Sequence, residues 1–153
     1  MMNIDFLKEV FKFANSLDLK NPDRAREQLE ERFPFKGEKV QSWGEKLVKA
    51  IKANIICTKG APPMQFSRLS KPSLETLQFS VDVVLMNGAG PNHIHPEGEI
   101  DLCFPVDGSP KFDGQEPGWV VYGIGSQHVP TVSDGTMAIV YLLPQGAFEL
   151  VGG

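Results

Sequence analysis

Gly88-Ala89-Gly90-Pro91-Asn92-His93-Ile94-His95-Pro96-Glu97-Gly98-Glu99-Ile100-Asp101-Leu102 decides the reading of this chain. It holds two of the three histidines in 153 residues, at i and i+2, with a carboxylate four positions after the second. In an extended segment alternate side chains share a face, so His93 and His95 point together while Ile94 points away. Two imidazoles on one face make a bidentate clamp. Glu99 shares their parity, and Pro96 and Gly98 allow a turn that brings its carboxylate to the same centre. His128 follows the turn Gly123-Ile124-Gly125-Ser126-Gln127 and has to arrive from another strand. Three nitrogens and one oxygen suit a divalent ion such as Fe, Mn, Zn or Ni and leave one or two positions open for water or substrate.

Outward from this stretch the hydrophobic period is twofold. Leu77, Phe79, Val81, Val83 and Leu85 alternate with Gln78, Ser80 and Asp82, which predicts a half-buried strand ending at Asn87-Gly88. Shorter strands are predicted near His93 to His95, Glu99 to Phe104, Trp119 to Ile124 and Met137 to Leu143. They are punctuated by Pro105, Asp107-Gly108, Asp113-Gly114, Pro117-Gly118, Asp134-Gly135 and Pro144. Turn signals at about ten-residue intervals indicate antiparallel sheets closing into a sandwich or barrel. Ile100, Leu102 and Phe104 alternate with Glu99, Asp101 and Cys103, so both faces of that strand require cover, from helices or from a second subunit. A homodimer is expected on that ground.

Upstream the period is helical. Ile4, Leu7, Val10, Phe11, Ala14 and Leu17 predict an amphipathic helix over residues 4 to 17. Asn21-Pro22-Asp23 reads as a cap, a first-turn proline and a first-turn acid, opening a helix with Ala25, Leu29 and Phe33 on its stripe and Phe33-Pro34 at its end. Val40, Trp43, Leu47, Ile51 and Ile55 predict a third helix from about Glu38 to Asn54, weakened at Gly44. The fold class is therefore mainly β with α: a helical segment over residues 1–58 packed on a small double-sheet β-barrel over residues 59–153, as one folding unit.

The net charge of −4 conceals an asymmetry. Residues 1–60 carry 12 Lys/Arg against 9 Asp/Glu, whereas residues 61–153 carry 3 against 10. The histidine-bearing part is the acidic part, which argues against a nucleic-acid groove there. The longest apolar runs are too short to cross a bilayer. Met1 to Glu9 mixes both charge signs with no apolar core behind a basic start, so a cytoplasmic location is expected, with Cys57 and Cys103 as reduced thiols.

Two segments resemble the paired motifs of the cupins. Gly88 followed by His93-x-His95-x-x-x-Glu99 is similar to the first, and Gly123-x-Gly125-x-x-His128 to the second. Departures from the second are Gly123 where proline is usual and Val132 where asparagine is usual. The resemblance implies that His93, His95, Glu99 and His128 ligate a metal in a small β-barrel, and that barrels pair. The run from Asn92 to Phe104, with Gly118 to Tyr122, His128 to Val132 and Met137 to Pro144, resembles the 4-hydroxylaminobenzoate lyase family over most of residues 60–150. That resemblance implies conversion of a hydroxylamino aromatic acid to protocatechuate (3,4-dihydroxybenzoate) and ammonia.

Such chemistry requires an acid, a positioned water and a seat for a carboxylate. Glu99 and Asp101 are the expected acids, because crowding or burial raises a carboxyl pKa. If Glu99 ligates metal, Asp101 holds the proton. Without metal, His128 becomes the base. Arg68 is the expected carboxylate seat, since its planar fork matches a carboxylate. Tyr122 is expected to hydrogen-bond the substrate or stack on its ring, while Trp119 and Phe104 are expected in packing. The competing functions are an iron-dependent dioxygenase for a small aromatic substrate and a non-catalytic small-molecule-binding barrel.

Overall fold

The apolar stripe of residues 4 to 17 becomes a short 3-10 turn, Asp5–Leu7, followed by helix α1, Lys8–Ala14, in a computed structural model that describes residues 2–152. The helix is shorter than predicted because its last turn tightens. Ser16 and Leu17 donate to Phe13 and Ala14, three residues back. Helix α2, Pro22–Arg32, starts at its proline as expected, although the Asn21 side chain makes no capping bond. Helix α3, Glu38–Lys52, stops before Asn54. Asn54 adopts φ 58°, and the N–H groups of Asn54 and Ile55 donate to the carbonyls of Ile51 and Ala50, a left-handed C-terminal lock.

Nine strands follow: β1 (Lys59–Ala61), β2 (Met64–Ser70), β3 (Phe79–Met86), β4 (His93–His95), β5 (Glu99–Phe112), β6 (Gly118–Tyr122), β7 (Ser126–His128), β8 (Val132–Pro144) and β9 (Glu149–Leu150). They form a six-stranded sheet in the order β1-β2-β3-β8-β5-β6 and a three-stranded sheet in the order β7-β4-β9, antiparallel throughout. The predicted closure into a barrel is not reached. Among the described residues no continuous ladder joins the two sheets, because β4 and β7 are three residues long and pair only with each other and with β9. The architecture is a double sheet behind three helices.

Two sequence expectations are corrected by β5 and β3. Pro105 and Asp107-Gly108 do not end a strand; β5 runs on to Phe112 and absorbs them as register shifts at 105/107 and 108/111. The polar face of β3 is not solvated. Ser80 is wholly buried, and Asp82 faces the space between the sheets. Leu77 lies outside the strand, with φ 51°.

Two apolar clusters sandwich the large sheet. On its outer face Val81, Ile100, Leu102, Phe104, Trp119 and Leu142 pack against Phe11, Leu29, Phe33, Trp43 and Leu47 of the helical segment. On its inner face Val84, Cys103, Val120, Ile139 and Tyr141 form a second cluster with Phe112. Trp119 also donates its indole N–H to the Phe33 carbonyl, and the Arg26 side chain donates to the Trp119 carbonyl, so α2 is tied directly to β6.

Gly44 is required by this packing. A Cβ there would sit 2.5 Å from the ring of Phe104, which Phe35 holds at 5.5 Å between ring centroids. Alanine at an exposed helical site gains about 1 kcal/mol over glycine. Here Gly44→Ala should instead destabilise by about 1–3 kcal/mol through overpacking, read as a lower midpoint in chemical denaturation. An unchanged or raised midpoint would show that Phe104 moves aside freely.

Candidate metal centre

The ladder between β4 and β7 places His93 directly opposite His128, and alternation along β4 puts His95 on the same face. Three imidazoles therefore converge from two three-residue strands of one sheet. Glu99 comes from the other sheet, at the first position of β5, after a turn over Pro96 to Gly98. Gly98 has φ +86°, and a Cβ on it would lie 2.9 Å from Leu19 and 3.0 Å from the Tyr122 carbonyl, so glycine is required twice over. One ligand atom from each of His93, His95, Glu99 and His128 lies within 4.8 Å of all the others.

The hydrogen bonds fix which nitrogens face inward. His93 donates its Nδ1 proton to the Pro91 carbonyl at 2.9 Å, and His128 donates its Nδ1 proton to the Asp113 carboxylate at 2.7 Å. Each Nε2 is left with a lone pair. His95 is wholly buried, and desolvation pulls its pKa down to about 3, so it is neutral. Its Nε2 lies 2.9 Å from His128 Nε2 and 3.4 Å from Glu99 Oε2. Glu99 Oε2 is 3.8 Å from His128 Nε2 and has no hydrogen-bond donor. Imidazole nitrogens and an unpartnered buried carboxylate oxygen, all facing one point, fit a divalent cation.

Behind Glu99, on the same face of β5, Asp101 is wholly buried with no donor to either oxygen. Burial and the neighbouring Glu99 charge push its carboxyl far above the usual range, and burial raises Glu99 as well. Two bare carboxylates side by side are strongly disfavoured in such surroundings, so the pair favours holding a proton on one of its members. Cys103, next on that face, is buried and free, as is Cys57; desolvation raises both thiols.

Asp113 escaped the sequence reading. It sits at the end of β5 with φ 49° and accepts from His128 Nδ1, from the Tyr122 hydroxyl and from the Thr131 N–H at 2.8 Å. Burial works to raise its pKa, but those three donors outweigh it and hold the carboxylate below its ordinary range. Tyr122 packs its ring 4.1 Å from that of His128, centroid to centroid, and gives its hydroxyl to Asp113.

A cavity of about 400 Å³ opens between the sheets above His93 and Glu99. Met64, Phe66, Tyr141, Leu143 and Phe148 supply its apolar wall. Arg68 lies on it too, its fork bound to Asp82 at 3.0 and 3.2 Å. Asp101 is not on the cavity wall, so Glu99 is the acid that the cavity meets first.

A family model described as 4-hydroxylaminobenzoate lyase matches residues 8–150. The chain belongs to the 4-hydroxylaminobenzoate lyase family. A 4-hydroxylaminobenzoate lyase of Pseudomonas putida is 33% identical over 101 residues, covering 56% of this chain and 57% of that protein. The chain thus spans little more than half the length of that relative. Similar solved structures include an RmlC-like cupin protein from Ralstonia eutropha, 10% identical, with a TM-score of 0.46 over 63% of this chain and 65% of that one. Another is a salicylate 1,2-dioxygenase from Pseudoaminobacter salicylatoxidans, 9% identical, with a TM-score of 0.42 over 76% of this chain and 36% of that one. Those likenesses concern the chain trace, not the chemistry. Within the described residues of this family member, no helix is long and apolar enough to cross a membrane.

The purified chain should bind one divalent ion, and His93→Ala or His128→Ala should each weaken binding by roughly 100-fold or more, measured by chelator competition with thermal midpoints checked in parallel. Unchanged affinity in either well-folded variant would remove that histidine from the centre.

Proposed function

We propose that this chain catalyses the reaction for which its family is named, turning 4-hydroxylaminobenzoate and water into protocatechuate and ammonia. One observation carries the reading: the apolar, aromatic cavity of about 400 Å³ has Arg68 on its wall and His93 with Glu99 at its base. That is a container for a ring with a carboxylate at one end and a reactive group at the other.

Arg68 binds the carboxylate, and the ring lies against Phe66 and Tyr141, so the N-hydroxyl group is directed to Glu99. While Glu99 is free of an ion, the proton that burial keeps on the Glu99 and Asp101 pair passes through the Glu99 carboxyl to the departing oxygen as the N–O bond breaks, releasing water. A Glu99 that ligates an ion leaves that proton on Asp101. Loss of that oxygen leaves an electron-poor ring, to which water adds at the carbon beside the nitrogen-bearing one. A second water hydrolyses the imine, expelling ammonia, and loss of a ring proton restores the aromatic catechol. Net consumption is one water, with no external oxidant. His93, His95, Glu99 and His128 would hold a divalent ion, which supplies a Lewis acid for oxygen and hydroxide near neutral pH when bound. In its absence, His128 would serve as the base once its Nε2 exchanges the His95 contact at 2.9 Å for the attacking water, with Nδ1 anchored on Asp113. Tyr122 supports this face of the site through its packing on His128.

Anaerobic incubation with 4-hydroxylaminobenzoate should yield protocatechuate and ammonia in equal amounts. A well-folded chain that forms neither, or that requires oxygen, would overturn the reading. Arg68→Ala should raise KM by roughly 10- to 100-fold, the equivalent of one charge-assisted hydrogen bond. It also exposes the Asp82 charge to the substrate, so the Arg68→Ala, Asp82→Ala double variant isolates the seat. An equal loss on phenylhydroxylamine, which lacks the carboxylate, would indicate damage rather than a lost contact.

A further inference from the structure

We infer that Asp113 is the positioning residue of the centre: its carboxylate holds His128 in the tautomer whose Nε2 lone pair faces Glu99 and His95. Nothing in the motif pattern assigns it a part, and the chain contains two other Asp-Gly turns, at Asp107 and Asp134, that look the same in sequence. Those two are exposed, and neither carboxylate makes a side-chain hydrogen bond. Asp113 is half-buried and is built into the fold. Its own N–H donates to the Thr131 carbonyl at 2.8 Å, Phe112 pairs with Val132 in the β5–β8 ladder, and Phe112 bridges to Gln115 across the turn. The left-handed backbone at φ 49°, which aspartate tolerates better than most residues, turns the carboxylate from the large sheet onto His128 in the small one.

Counting donors shows why the residue has to be a carboxylate. Oδ2 accepts from His128 Nδ1 at 2.7 Å and from the Tyr122 hydroxyl, and Oδ1 accepts from the Thr131 N–H at 2.8 Å. Three hydrogens meet two oxygens, and each oxygen has to accept. An asparagine cannot meet that demand in either orientation. With its oxygen kept on Thr131, its amide donates toward His128 Nδ1, so the imidazole proton moves to Nε2. There it stands between the ring and its neighbours, His95 Nε2 at 2.9 Å and Glu99 Oε2 at 3.8 Å. With the amide reversed, two donors face each other at Thr131, leaving a backbone N–H unpaired, which costs about 1–3 kcal/mol. The first arrangement removes a ligand lone pair without moving any ligand atom.

The surrounding groups leave Asp113 alone in this role. His93 has its tautomer set independently by the Pro91 carbonyl, and His95 Nδ1 has no partner at all. Of the three histidines, His128 is thus the one oriented by a side chain, and a partner that orients a ligand through its distal nitrogen typically changes metal affinity by 10- to 100-fold when it is removed. The Tyr122 hydroxyl adds a third donor to Asp113 but touches neither His128 nitrogen, so its removal leaves the tautomer in place.

The test uses the full chain, wild type and variants, labelled with 15N-histidine. After chelator treatment, two-bond proton–nitrogen spectra should show wild-type His128 protonated on Nδ1 in its neutral form. Asp113→Asn should show it protonated on Nε2, and Zn(II) affinity by chelator competition should fall by about 10- to 100-fold. Tyr122→Phe should retain both the wild-type tautomer and near wild-type affinity. A wild-type His128 carrying its proton on Nε2 overturns the inference without any variant, which covers an Asp113→Asn chain that fails to fold. So does an Asp113→Asn chain in which either the tautomer or the Zn(II) affinity is unchanged. No readout involves the aromatic substrate, so failure of the lyase reading and failure of this inference are told apart.

Discussion

Two carboxyl groups buried side by side beneath three imidazoles form the constraint around which this molecule is arranged. Glu99 and Asp101 have essentially no exposed surface. An isolated buried carboxylate is strongly disfavoured, and two adjacent ones more so. The arrangement offers two compensations: a proton held on one of the pair, and an inward-facing set of nitrogens that suits a cation. Neither works unless β5 is held rigidly. Its outer face is packed by the helical segment, and its inner face joins a cluster with Val120, Ile139 and Tyr141. Rigidity at Glu99 and Asp101 therefore derives from apolar burial on both sides of a single strand.

That strand also explains the shape of the site. A 14-residue strand drawn straight would span roughly 46 Å at 3.3 Å per residue. Yet Glu99, at its start, lies 3.8 Å from His128 Nε2, while Asp113, just past its end, lies 2.7 Å from His128 Nδ1. Both ends reach opposite edges of one imidazole, so β5 has to curl. The register shifts at 105/107 and 108/111 supply the bend, with Gly108 at φ +70° at the tighter point. Pro105 and Asp107-Gly108 look like strand terminators in sequence because the residues that break a ladder are also those that bend one. Periodicity within a segment cannot tell the two apart; only the partner strand β8 decides.

The convergence of His93, His95 and Glu99 was legible because its information is local. Parity along β4 places His93 with His95, and a proline-glycine turn carries Glu99 to them, all within seven residues. His128 was legible as the one histidine remaining. Asp113 was not, since its role depends on the pairing of Phe112 with Val132 and on an Asp-Gly dipeptide that occurs three times. The polar alternation of β3 was visible but assigned to solvent. Alternation reports that two faces differ, and a face turned to a cavity between sheets can carry polar residues as a face turned to bulk water does. Asp82 belongs to such an interior face, where it pairs with Arg68 on the cavity wall.

The helical segment has a function beyond covering the sheet. The loop between α1 and α2 lies over both turns that deliver ligands. Leu19 packs where a Cβ on Gly98 would be, beside the turn into Glu99, and its carbonyl accepts from the Ile124 N–H in the turn before His128. The next residue, Gly125, donates to the His95 carbonyl at 2.8 Å. One loop residue thus braces Glu99 on one side and His128 on the other, while Arg26 holds the adjoining strand at Trp119. A cluster assembled from three-residue strands has few ladder bonds of its own to resist distortion. Its geometry is inherited from the turns, and the turns are held in place by the helices.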